Sequence, residues 1–168
     1  TVSANRPYNG TYSADCDTGN STVAGTLYRW DYDGGNEYEL TQFQMYYWGQ
    51  SGANGGQGWR LYDKNGNRVL SIGSNNPQPI YESASGTSQL DAGSTLLEEW
   101  VRATISFDWS LGEYDVTWDF LSSDTTESVS DISMVNVQPI SYVEGQTFNS
   151  GWGAGPTRHF IDDLKATL

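Results

Sequence analysis

From Trp100 to Phe120 apolar and polar side chains alternate with a period of two, broken only at Ser110-Leu111-Gly112. Val101, Ala103, Ile105 and Phe107 fall on one side of the first run, and Tyr114, Val116, Trp118 and Phe120 on one side of the second. This is the repeat of extended strands, whose successive side chains point to opposite faces. The two runs are predicted to form an antiparallel hairpin with one apolar side turned to a core. A second hairpin is predicted from Gly58–Asp63 and Arg68–Ile72, joined by Lys64-Asn65-Gly66-Asn67. There Asn65-Gly66 is expected to supply the positive φ angles of a type I′ turn.

Further strand signals span 38–48, 129–137 and 158–168, with Gly, Asn, Asp and Ser clusters between them. No segment reads as a good helix. Short strands without intervening helices specify an all-β, two-sheet antiparallel sandwich and exclude βαβ units. At 168 residues the chain reads as one domain, 1–168, that buries roughly two thirds of its unfolded surface. The lone Cys16 cannot form an internal disulfide, so a hydrophobic core must hold the fold.

The chain carries 21 acidic and 8 basic residues, a net charge of −13. That balance repels polyphosphates and anionic lipid, which excludes nucleic acid as an expected partner. No apolar run approaches the ~20 residues of a membrane-spanning helix, so no membrane insertion is expected. The N-terminus has neither a charged start nor an apolar h-region, so any signal peptide would already be gone. Asn9-Gly10-Thr11 and Asn20-Ser21-Thr22 are glycosylation sequons compatible with a secretory path. The expected setting is secreted, as a monomeric unit within a larger multidomain chain.

Trp100–Asp108 followed by Gly112–Trp118, together with the closing Phe160-Ile161-Asp162-Asp163-Leu164-Lys165, resembles the hairpin and final strand of concanavalin-like and laminin-G-like jelly rolls. The likeness covers about the last 70 residues. It is similar to noncatalytic carbohydrate-binding modules of secreted polysaccharide-degrading enzymes, and implies a jelly-roll sandwich. By simple alternation Asp162 shares the inward side of Leu164, Ala166 and Leu168, where a carboxylate must be hydrogen-bonded, paired or metal-bound. The resemblance implies a structural Ca²⁺ held by this Asp and N-terminal residues. Asp15, Asp17 and Asn20 are the candidate partners, because calcium takes hard oxygen ligands. The alternative is an Asp that only caps turn amides.

Sugar rings present apolar C–H faces ringed by hydroxyls, so a site for them needs flat aromatic side chains beside amide, carboxylate and guanidinium groups. Tyr28, Trp30 and Tyr32 alternate with Arg29, Asp31 and Asp33, while Tyr46, Trp48 and Trp59 flank the Gly-rich segment 50–57. If the strands after residues 28 and 38 share one sheet, their outward rings form a platform with Gln42, Gln44 and Arg60 as donors. The segment from Tyr38 to Trp48 cannot bury Tyr38, Tyr46 and Trp48 together with Phe43, Met45 and Tyr47, so one set must look outward. Trp152, set among glycines, is a further candidate at the rim. The expected partner is thus a polysaccharide or oligosaccharide.

An enzyme of the same fold is the alternative, as is an adhesive spacer in a surface protein. No paired-carboxylate strand motif for glycoside hydrolysis is present. A lyase would need a base and a carboxylate-neutralising cation, for which His159, Arg158 and Tyr142 are the available residues. Cys16 has no basic surroundings to make it a nucleophile.

Overall fold

The structure is a computed structural model that describes residues 2–3, 13–17, 25–31, 36–49, 56–75, 78–90, 99–148 and 158–168. Within these, side chains are described at 29–31, 36–47, 58–74, 78–90, 99–145 and 164–168. All regular structure among the described residues is strand. The strands are β1 (Val2–Ser3), β2 (Ser13–Asp17), β3 (Gly25–Asp31), β4 (Gln42–Gly49), β5 (Gly56–Tyr62), β6 (Arg68–Asn75) and β7 (Gln78–Ser83). There follow β8 (Gly86–Gln89), β9 (Glu99–Asp108), β10 (Glu113–Phe120), β11 (Thr125–Ser133), β12 (Tyr142–Phe148) and β13 (Arg158–Thr167). They build an antiparallel seven-stranded sheet, β1-β2-β13-β4-β9-β10-β11, and a six-stranded sheet, β3-β12-β5-β6-β7-β8.

The predicted parity holds where alternation is strongest. Phe43, Met45 and Tyr47 of β4, Val101, Ala103 and Ile105 of β9, and Tyr114, Val116, Trp118 and Phe120 of β10 are all buried. They meet Trp59, Leu61, Leu70, Ile72 and Val143 of the other sheet in one core. Tyr47 and Trp59 touch across the layers with ring centroids 4.7 Å apart, and Trp30 reaches Phe43 at 6.1 Å. Each fully buried large apolar side chain contributes about 1.5–3 kcal/mol, so this layer holds the sandwich without a disulfide. The Tyr114 hydroxyl donates to the Glu82 carbonyl at 2.7 Å and ties β10 to β7.

Three local readings change. The β5–β6 turn is not type I′, because only Gly66 (φ 81°) has positive φ and Asn65 does not. Gly66 N–H donates to the Asp63 carbonyl and Asp63 N–H to the Asn67 carbonyl, which is a type I turn closed by a left-handed glycine. The strand expected at 129–137 runs instead from Thr125 to Ser133, since Met134 and Val135 leave the ladder to bond Gly112 and Val69. Tyr38 is not part of β4 but makes an isolated bridge with Ile140.

Candidate functional site

Sheet membership divides the residues expected to share one platform. β3 and β5 belong to the six-stranded sheet and β4 to the seven-stranded sheet, so the strands after 28 and 38 do not line one surface. Trp59 is a core residue, 1% exposed, because it shares the inward parity of Leu61; the reading of Trp59 as a sugar platform is corrected. Trp30 is half-buried against the core beside Phe43. Gln42, Gln44 and Tyr46 do face outward together on the larger sheet, all half-buried. There Gln44 donates to Thr104 at 3.2 Å. Arg102 beside Tyr46 donates to Asp119 at 2.8 Å, and Thr126 donates to the same carboxylate. This surface is polar, with Gln44, Thr104, Arg102, Asp119 and Thr126 bonded among themselves.

Arg60 lies on the outer face of the other sheet, and there the register gathers a denser set of groups. Glu144 of β12 stands between Arg29 of β3 and Arg60 of β5, and Arg60 pairs with Ser71 of β6. One step along, Tyr142 stands between Asp31 and Tyr62, and Tyr62 pairs with Arg68. Tyr62 and Tyr142 stack with centroids 4.9 Å apart and planes 13° from parallel. Arg29 caps that stack, held by Asp31, which accepts from its Nε at 2.8 Å and its Nη2 at 2.6 Å. Arg68 forms a charged hydrogen bond with Glu82 on β7. Burial pushes the Glu82 carboxyl above its ordinary pKa, with the charges of Arg68 and Arg60 opposing the rise. Ser71 is only 5% exposed, and Gly58, Gly73 and Ile80 are buried in the adjoining row of the same face. The long side chains above them form a dense charged cluster of three arginines and three carboxylates on a chain whose net charge is −13.

Sequence reasoning found Arg60 here but missed Tyr62, Arg68, Ser71, Glu82 and Glu144. Tyr62 and Arg60 share a parity, which was the available signal; the contributions of β12 and β7 come from non-local pairing. Tyr28 stands opposite Gly145, in the row of Trp59, and its side chain lies outside the described residues, as do those of Trp48, Tyr32 and Trp152. The lyase pairing fails on topology: His159 is on β13 of the seven-stranded sheet, whereas Tyr142 faces outward from the six-stranded sheet.

The residues expected to hold calcium fall on neighbouring strands or outside the description. β2 pairs with β13, with Asp15 opposite Phe160 and Asp17 opposite Arg158, while Asn20 lies outside the described residues. A register shift between Asp162 and Lys165 places Asp162 opposite Tyr46, an outward position, rather than in the register of Phe43 and Ala166. The alternation that put Asp162 with Leu164 and Ala166 is thus interrupted by a bulge. Among the described residues no group of three His, Cys, Asp or Glu side chains suits a metal ion. No described helix is long and apolar enough to cross a membrane.

No known family's model matches the sequence, and no curated protein matches it. Solved structures resemble the fold. A basic winged bean lectin crystallised with Tn-antigen shares 10% identity over 98% of this chain and 90% of its own, with a TM-score of 0.59. Scytalido-glutamic peptidase shares 12% identity over 78% and 76%, with a TM-score of 0.56. Bacillus licheniformis β-glucanase shares 10% over 79% and 68%, with a TM-score of 0.52. At such identities the likeness shows the fold alone, and the fold is the concanavalin-like jelly-roll sandwich expected from the sequence.

Proposed function

We propose that this domain is a noncatalytic carbohydrate-binding module that takes a polysaccharide on the outer face of the six-stranded sheet, in a secreted, larger chain. The observation that carries the reading is the in-register set Arg29–Glu144–Arg60–Ser71 beside Asp31–Tyr142–Tyr62–Arg68. Planar guanidinium and carboxylate groups fixed by one another offer paired donors and acceptors to vicinal hydroxyls, and Tyr62, half-buried on top of the buried Tyr142, offers apolar surface to a ring face. The lectin and the glucanase of the same fold lend the reading general support. Among the described side chains no tryptophan is exposed, so recognition rests on this polar network with Tyr62, supplemented by rings at Tyr32 or Trp152.

The noncatalytic part of the reading has its own support. Glu144 and Glu82 flank the Arg60–Ser71 pair from β12 and β7, three strands apart. At ~4.8 Å per strand their backbones lie about 14 Å apart, a wide setting for a carboxyl pair that glycoside hydrolysis needs within ~5–9.5 Å. Structural calcium on Asp15, Asp17, Asn20 and Asp162 belongs to the same proposal, since β2 and β13 are adjacent and the donors are hard oxygens.

Affinity electrophoresis against neutral and acidic plant, algal and microbial polysaccharides tests the function. Retardation by at least one glycan, with no release of reducing ends or unsaturated products, is expected. Migration unaffected by every glycan would refute it.

A further inference from the structure

At the turn of the β9–β10 hairpin lies a second feature with a different chemistry, tied to the six-stranded sheet by the Tyr114 hydroxyl on the Glu82 carbonyl. Leu111, Val135 and Val137 are three of the four exposed large apolar side chains among the described residues, at 69%, 38% and 46%. They are held in place: Met134 N–H donates to the Gly112 carbonyl at 2.8 Å, and Val135 N–H to the Val69 carbonyl at 2.9 Å. Val137 packs against the backbone of Gly112, next to Leu111. Beside Leu111 opens a pocket of about 140 Å³ with Phe107 and the buried Tyr114 in its wall. Its remaining lining is Ser106, Asp108, Glu113, Asp115 and Asp131, so every charged group is a carboxylate.

A bulge shapes that rim. Between Tyr114 and Val116 of β10 the partner register on β11 jumps from Ile132 to Val129. Asp131 in the extra stretch takes a left-handed conformation (φ 57°) and donates its N–H to Asp115. For a residue with a Cβ this conformation costs about 1–2 kcal/mol, and here it brings a further carboxylate to the pocket.

We propose that this end of the sandwich docks a basic segment of a partner protein, with an apolar side chain seated against Leu111 and Val137 and a neighbouring Lys or Arg directed at Asp108, Glu113, Asp115 and Asp131. The uniform sign of the rim selects the occupant. A second copy of this chain would bring the same carboxylates to the joint and be repelled, and an acidic segment would be refused for the same reason. A cationic polymer without apolar side chains would leave Leu111, Val135 and Val137 uncovered.

Fluorescence anisotropy tests this with the labelled peptide Gly-Lys-Leu-Lys-Leu-Lys-Gly and its Glu-for-Lys counterpart. The basic peptide is expected to bind saturably, and added salt to weaken it. Leu111→Ser and Glu113→Lys are each expected to lower affinity at least about tenfold. The proposal is overturned if the basic peptide does not bind, if the acidic one binds equally, or if Leu111→Ser binds like the parent. Sedimentation showing a dimer that Leu111→Ser dissolves would overturn it in favour of self-association.

Discussion

The guanidinium carbon of Arg29 stands 3.6 Å from the centroid of the Tyr142 ring. Asp31 fixes it there, so a cation and a tyrosine pair are presented as one rigid unit on the proposed glycan face. Because Arg29 and Asp31 are both half-exposed, Arg29→Ala is expected to leave the melting temperature almost unchanged and to lower glycan affinity about tenfold. Calorimetric titration beside a thermal melt separates the two effects. Unaltered affinity would remove Arg29 from the site.

Asp63 is 1% exposed and accepts hydrogen bonds from the amides of Asn65 and Asn67 and from the side chains of Asn67 and Asn136. Burial acts to raise its pKa, but those bonds outweigh it and hold the carboxyl below its ordinary value. A folded-state pKa below the unfolded one stabilises above the unfolded pKa, and that stability is lost as pH falls through the folded value. Asp63→Ala is expected to cost about 2–3 kcal/mol at neutral pH. In Asp63→Asn the fall in stability below about pH 4 should be shallower than in the parent, as urea melts across pH would show.

Gly112 has φ 68°, and a Cβ there would lie 2.7 Å from Val137 Cγ2. Gly112→Ala therefore combines left-handed strain with a clash and is expected to cost about 2 kcal/mol, or about 4–8 °C in Tm. Adding Val137→Ala should recover the clash but not the strain. A fully additive double mutant would mean that the two positions do not interact.

If calcium is held between β2 and β13, saturating Ca²⁺ at about 100 times its Kd adds about 2.7 kcal/mol. In a domain of this size that is about 5–10 °C in Tm, reversed by chelator. Asp162→Asn is expected to abolish the response. Identical melts with calcium and with chelator would remove the metal from the account.

What could be read in advance follows from the physics of strands. Alternation fixed the inward faces of β9 and β10 because their apolar side chains recur at every second residue, whereas for β4 it required only that one of two aromatic sets look outward. It could not assign β3 and β4 to different sheets, since parity carries no information on strand partners; the single platform joining Trp30, Gln42 and Arg60 failed for that reason. Asp162 was misplaced by one inserted residue, because a bulge reverses every parity beyond it. Trp59 was open to a better reading, as it alternates in step with Leu61. Tyr142–Phe148 escaped notice because a strand reading Val-Glu-Gly-Gln-Thr has little apolar periodicity, yet it supplies Tyr142 and Glu144 to the centre of the candidate site.

The central claim is that the glycan lies on the six-stranded sheet. Backbone and arginine side-chain NMR shifts, followed during titration with an oligosaccharide of whichever polysaccharide binds, test it most directly. The account predicts perturbations at Arg29, Arg60, Tyr62, Arg68, Ser71, Tyr142 and Glu144. Perturbations confined to Gln42, Gln44, Tyr46, Arg102 and Thr104 on the opposite sheet would contradict it.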